Sequence, residues 1–175
     1  MRICSAMLVA ATVFFASPVV AREQKQSDVP DIKACQVLTA NTLAVPGARI
    51  LGYTFDPDKE GASDKFTFAS ECRYLVKTAT EALLEITVRL SQYESVEAAK
   101  AGFQSAMKKT IDDGDKVTPL EGIADEGYSV DHPPHLAIAA RSGDRRVMMW
   151  SRDDEFKPVM EVLVMLAFVA WPAEH

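Results

Sequence analysis

An acidic segment is one part of this 175-residue chain that could bind a metal ion. Residues Asp56 to Asp64 (DPDKEGASD) place carboxylates at positions 1, 3, 5 and 9 and a glycine at position 6 of a calcium-binding loop. The twelfth position of such loops carries a bidentate glutamate, and here it is Thr67. We therefore expect a solvated acidic loop and no metal site, and leave calcium binding by Asp56–Asp64 open.

Two of the three histidines, His132 and His135, stand three residues apart with two prolines between them. Two imidazoles at this spacing can share a metal ion on a helix, but consecutive prolines prevent a helix. We expect a rigid loop, no cofactor and no catalytic residues, since no G-x-S-x-G nucleophile elbow occurs in the chain. The alternative is an envelope hydrolase that uses the dispersed residues His132, His135 and Asp125.

Positive charge is concentrated around one predicted hairpin, in Arg141, Arg145, Arg146 and Arg152. Adjacent strand residues point to opposite faces of a sheet, so Arg145 and Arg146 cannot form one patch. We favour a solubilising hairpin surface over an anion site. The formal net charge of −6 argues against a nucleic-acid partner, because nucleic-acid-binding domains carry a basic excess.

The N-terminus has the pattern of a secretory signal peptide over residues 1–21. A basic Met1-Arg2 start precedes the apolar segment Ile3–Ala16, and Pro18 and the small residue Ala21 follow it. The apolar segment is shorter than the about 20 residues that span a bilayer. We predict cleavage after Ala21, a periplasmic or secreted mature chain, and no membrane span after cleavage.

Signal cleavage removes Cys4 and leaves two cysteines, Cys35 and Cys72. Two cysteines in an exported chain most economically form one disulfide bond. A catalytic thiol would need a nearby base and a reducing compartment, and cysteines this far apart lack the spacing of metal ligands. We predict a Cys35–Cys72 disulfide.

Periodicity after the leader predicts one α+β domain over residues 31–171, preceded by a flexible segment over residues 22–30. Apolar and polar residues alternate over Ala82–Ser91, and Ser95 is positioned to cap a helix. Hairpins outnumber strand–helix alternations along the chain. This order predicts a mostly antiparallel sheet of five to six strands flanked by helices.

The predicted C-terminal helix, Glu155 to about Ala170, is apolar around most of its circumference. Its predicted sheet-facing stripe consists of Phe156, Val159, Leu163, Leu166 and Ala170. The remaining apolar residues either pack inside the domain or form a surface for a protein partner or a second copy in a homodimer. That surface would contain Val162, Met165 and Val169.

Three short motifs carry a resemblance to a known group. They are Ala34-Cys35-x-x-Leu38-Thr39, Cys72-x-Tyr74 and the turn Gly122–Tyr128 (GIADEGY). The chain resembles small exported bacterial proteins of unknown function with a Cys-x-x-Leu-Thr start and one disulfide. Some of those proteins are similar in fold to PsbP, the extrinsic photosystem II subunit. The resemblance, over about Asp31 to Ala170, implies a PsbP-like α+β fold and non-enzymatic work in the cell envelope.

The absence of a catalytic constellation and the predicted export favour one function class. We predict a non-enzymatic, periplasmic or secreted binding or accessory module that holds a protein partner or a small ligand.

Overall fold

The structure is a computed structural model that describes residues 33–39, 48–55, 60–63, 65–78, 80–132, 135–152 and 157–171. The described helices are α1 (Ala34–Val37), α2 (Val96–Asp112) and α3 (Lys157–Ala170). The strands are β1 (Arg49–Phe55), β2 (Phe68–Lys77), β3 (Leu83–Gln92), β4 (Lys116–Pro119), β5 (Glu126–His132), β6 (His135–Ser142) and β7 (Arg145–Ser151). The predicted leader, the segment 22–30 and most of the acidic stretch Asp56–Asp64 lie outside the described residues.

All seven strands form one antiparallel sheet in the order β1-β2-β3-β7-β6-β5-β4. Strands β1 to β3 form one meander, and β4 to β7 form a second meander that runs back from the far edge to the centre. The two meanders meet at the β3–β7 pair, where Ile86 lies opposite Ser151 and Gln92 opposite Arg145. The α+β prediction is confirmed at this level.

The predicted count of five to six strands is wrong, since the sheet has seven. The missed strand is β4, which has four residues and ends at Pro119, too short for alternation to be detected. Strand β5 is seven residues long, from Glu126 to His132. Its sequence, EGYSVDH, contains few apolar residues, so its pattern is a weak signal for a strand.

One face of the sheet carries the main core. Alternate residues of the central strands point toward α1 and α3, among them Ile86, Leu90, Ile138 and Met149, each fully buried. The predicted buried positions of β3 are confirmed at Leu84, Ile86, Val88 and Leu90. The expected wet face is wrong at Thr87 and Ser91, which are also buried because the other face of this central strand is covered as well. Helix α3 therefore lies against β6 and β7 on this face.

Helix α3 uses a different stripe from the one predicted. Its buried residues are Met160, Leu163, Val164 and Ala167, and Trp171 follows them into the core. Val159 and Leu166 are only partly buried. The predicted stripe was wrong because it placed a different side of the helix against the sheet. A helix that is apolar on nearly every side does not reveal which side faces the sheet.

Helix α1 is held on strand β2 by three consecutive inward-facing residues. Ser70 Oγ accepts a hydrogen bond from Ala34 N at 2.9 Å, and the Tyr74 hydroxyl donates to Ala34 O at 2.6 Å. Between them Cys72 is joined to Cys35, with Cα atoms 5.1 Å apart. This confirms the predicted disulfide. A four-residue helix is unstable alone, so these bonds account for its existence.

The opposite face is covered by α2 over β4 to β7 only. The Ser95 side chain accepts a hydrogen bond from Ala98 N, which confirms the predicted N-cap. Gly102 permits close approach of Tyr93, because a Cβ atom there would lie 2.8 Å from the Tyr93 ring. Phe103 packs against Tyr128 with ring centroids 5.0 Å apart. The N-terminal half of α2 is thus fitted tightly to the sheet.

We expect Tyr74→Phe to lower the free energy of unfolding at neutral pH by about 1–2 kcal/mol, because the Ala34 carbonyl loses its buried donor. Burial raises the pKa of Tyr74 above its ordinary value. The unfolded chain loses the Tyr74 proton at about pH 10, whereas the folded state keeps it. The contribution of the Tyr74 hydrogen bond to the free energy of unfolding is therefore present below about pH 10 and is lost above it.

Urea unfolding between about pH 8 and pH 11 measures both effects. The variant should lose stability less steeply at the alkaline end than the wild type. Tyr53→Phe is the matched control, since Tyr53 is exposed, keeps its ring contact with Tyr74 as phenylalanine, and has a smaller effect on the Tyr74 pKa than burial does. Equal alkaline slopes for wild type and Tyr74→Phe would contradict the assignment.

Candidate functional site

A cleft of about 250 Å³ lies between α2 and the sheet face that α2 covers. Its apolar lining consists of Ala106, Val130, Ala137, Ala139 and Met148. Its polar lining consists of Thr110, Asp115, Tyr128, His135 and Arg146. We call this space the alanine cleft. It is slightly smaller than the about 300–1,000 Å³ of pockets that hold drug-sized ligands, so it suits a smaller molecule.

The cleft exists because small residues face one another across the helix–sheet interface. On β6 the side chains of Ala137 and Ala139 point toward α2, and Ala106 of α2 lies on the opposite wall. One helical turn earlier, Phe103 and Tyr128 fill the equivalent space with two rings. The gap thus begins where large side chains give way to methyl groups.

The cleft runs along strand β6. His135, Ala137 and Ala139 are successive residues on one face of this strand, which gives a length of about 13 Å at 3.3 Å per residue. His135 is exposed at one end, whereas Ala139 and Tyr128 are buried at the other. Arg146 lies beside this buried end, on the neighbouring strand β7.

Arg146 is a half-buried cation that lacks a carboxylate partner among the described residues. Its Nη2 donates to Met148 Sδ at 3.2 Å, a weak acceptor, and its Cζ lies 6.0 Å from the Phe103 ring centroid. Within the part of the chain that the structure describes, its Nε is buried and has no hydrogen-bond acceptor. An unpaired hydrogen-bond donor at the buried end of a cleft favours the binding of an anionic ligand there.

Tyr128 supplies a second polar group beside Arg146. Burial raises the pKa of the Tyr128 hydroxyl, and the charge and hydrogen bond of Arg146 oppose this rise. The hydroxyl therefore stays protonated through the neutral range. The protonated hydroxyl can donate a hydrogen bond to an acceptor in the cleft.

Arg141 lies directly opposite Arg146 in the β6–β7 pair, but its environment is different. Its side chain is 6% exposed and pairs with Glu126 at 3.2 Å and Asp125 at 3.3 Å. Its Nη1 also donates to Gly143 O at 2.8 Å, and Gly143 N donates to Asp125 at 2.9 Å. These contacts of Arg141 stabilise the β6–β7 turn.

Arg145 points to the opposite face, as predicted from its adjacency to Arg146. Its Cζ lies 5.5 Å from the Trp171 ring centroid, and its side chain is 6% exposed. Burial lowers the pKa of its guanidinium, and Asp144 opposes this shift. The expectation of a solubilising hairpin surface is wrong for Arg141 and Arg145, because both are buried in packing contacts that charge alone does not reveal.

The residues of the predicted hydrolase alternative lie at two ends of one strand pair. Asp125 directly precedes the start of β5, where it is engaged with Arg141, and His132 lies opposite His135 at the far end. Six residues of strand separate Asp125 from His132, a distance of about 23 Å. Among the described residues, no group of three or more His, Cys, Asp or Glu side chains is placed to hold a metal ion.

The outer side of α3 exposes part of the surface named for a partner. Val169 is 76% exposed and Met165 41% exposed, and Val162 is partly buried. These residues are not all buried within the chain, so a partner or homodimer surface at Val162, Met165 and Val169 stays a prediction. No helix among those described is both long and apolar enough to cross a membrane.

Comparison of the chain with protein-family models and with curated proteins found no match.

We expect Arg146→Met to leave the free energy of unfolding unchanged or to raise it by up to about 1 kcal/mol. The substitution keeps an apolar chain of similar length and removes a partly buried charge that has no ion-pair partner and faces another arginine. Arg141→Met is the matched comparison on the same face, and we expect it to cost about 2 kcal/mol because it breaks several charged hydrogen bonds.

Urea unfolding of the two variants measures both changes in the free energy of unfolding. Equal losses from Arg141→Met and Arg146→Met would contradict the distinction and make Arg146 a structural residue as well.

Proposed function

We propose that this chain is a non-enzymatic, periplasmic or secreted binding module that holds a small ligand in the alanine cleft. The observation that carries the proposal is the cleft itself, an open space between packed elements with a buried, unpaired guanidinium nitrogen at one end. Protein interiors are close-packed, so an open gap between packed elements leaves room for a small molecule.

Export is supported by two independent features. The N-terminal residues 1–21 have the pattern of a secretory signal, and Cys35 and Cys72 form a disulfide bond, which persists in oxidising compartments. The resemblance to small exported proteins with a PsbP-like fold agrees with this proposal. An antiparallel sheet with helices on both faces is compatible with it.

A binding role is favoured over the hydrolase alternative by the position of the polar groups. His132 and His135 lie opposite each other at one end of the β5–β6 pair, and Asp125 lies about 23 Å away at the other. General-base catalysis requires such groups within hydrogen-bonding reach of one another. The groups that line the alanine cleft are instead suited to holding a molecule.

We expect protein recovered from the envelope fraction of its own cells to carry a small non-covalent adduct in native mass spectrometry. The same measurement should give a chain that starts at Arg22. In Ala137→Leu the added side chain fills the cleft, so we expect the chain to appear without the adduct.

Ala101→Leu is the matched control, because it adds the same side chain on the exposed side of α2. This variant should keep the adduct. A bare wild-type protein, or an adduct that survives in Ala137→Leu, would overturn the proposal, and an N-terminus at Met1 would overturn cleavage after Ala21.

A further inference from the structure

We infer that the alanine cleft selects a monocarboxylate with a small apolar body, and that Arg146 and Tyr128 receive its carboxylate. The inference rests on the proposed function and specifies the ligand class. It follows from the way in which charge and apolar surface are distributed along the cleft.

The buried end of the cleft offers two hydrogen-bond donors and little to accept one. Arg146 Nε is buried without an acceptor among the described residues, and the Tyr128 hydroxyl beside it keeps its proton. A carboxylate has two acceptor oxygens and one negative charge, which matches these two donors and the single guanidinium charge. A neutral amide would satisfy the geometry only in part, because its NH₂ group would face a cation.

The middle of the cleft is apolar. Ala106 on α2 faces Ala137 and Ala139 on β6, with Val130 and Met148 on either side. A strongly hydrated dianion such as inorganic phosphate would lose its water against these walls without compensation. A ligand with one charged end and an apolar body leaves only its charged end to be matched by the donors.

Two carboxylates on the side of the sheet that carries Arg146 are already paired. Asp125 and Glu126 are both engaged by Arg141, which lies opposite Arg146. The one acidic residue in the described lining of the cleft, Asp115, directly precedes β4 and has an interaction of its own. Arg141 is thus the arginine of the cross-strand pair that Asp125 and Glu126 neutralise, and Arg146 keeps its positive charge. That remaining charge is the one at the cleft.

Isothermal titration calorimetry with benzoate and benzamide tests the inference, because the two probes share shape and differ in charge. We expect benzoate to bind at millimolar or lower concentration and benzamide to bind at least about tenfold more weakly. We expect no binding of inorganic phosphate. Arg146→Met should reduce benzoate affinity about tenfold or more and leave benzamide unaffected.

Two further variants keep the test decisive. Arg146→Lys retains the charge and loses the fixed Nε donor, so its benzoate affinity should fall between those of wild type and Arg146→Met. Arg73→Met is the matched control, since Arg73 lies on the same side of the sheet on β2, exposed and outside the cleft lining. It should bind benzoate as the wild type does.

The outcomes separate the ligand class from the site. Equal affinity for benzamide and benzoate, with both lost in Ala137→Leu, would contradict the selection of a carboxylate but would keep the cleft as the binding site. Phosphate binding that depends on Arg146 would contradict the inference that the ligand has an apolar body. Failure of both aromatic probes to bind the wild type at about 10 mM would overturn the inference, while the adduct measured in envelope-purified protein tests the cleft independently.

Discussion

The pairing of β3 with β7 is the constraint on which the rest of this structure depends. It is the one junction between the two meanders among the described strands, and it joins residues as far apart in sequence as Ile86 and Ser151. Because β7 occupies the place beside β3, the chain leaving β3 must cross to the far edge of the sheet before it can return. Helix α2 makes that crossing, and it therefore covers only β4 to β7. The alanine cleft is a consequence of this route, since it lies under the half of α2 where the side chains become small.

The same path of the chain explains why the two faces of the sheet are packed differently. The face with α1 and α3 is filled by large apolar side chains and holds the short α1 through the Cys35–Cys72 bond and Tyr74. The α2 face has a small cluster around Phe103 and Tyr128 and is polar at its margins. The first face therefore holds the main core, and the second holds a cluster of a few residues beside the cleft. On the α2 face, Arg141 is paired with two carboxylates, whereas Arg146 Nε is buried without an acceptor among the described residues.

Much of the framework follows from local sequence rules, and the site does not. Alternation over β3, the Ser95 cap and the cysteine count predicted a strand, a helix start and a disulfide that the structure confirms. Strand β4 was missed because four residues carry no period, and the buried side of α3 was missed because nearly all its sides are apolar. The cleft depends on Ala106 meeting Ala137 and Ala139 across a long separation in sequence. An alanine in a strand gives no local signal of a gap, and the pairing of Arg141 with Asp125 and Glu126, which leaves Arg146 unpaired, depends on strand register. The opposite orientation of Arg145 and Arg146 was the one part of the site that adjacency alone could predict.

The Arg146 side chain can be observed directly while a ligand enters the cleft. In protein labelled with ¹⁵N-arginine, the Nε–Hε signal of Arg146 is identified by its disappearance in Arg146→Lys. We expect a saturable downfield shift of this signal on titration with benzoate, because the buried Nε gains an acceptor, while the Nε–Hε signals of Arg141 and Arg145 stay in place. An Arg146 signal that does not move while benzoate binds elsewhere, or a signal already shifted in the ligand-free protein by an internal acceptor, would contradict this expectation.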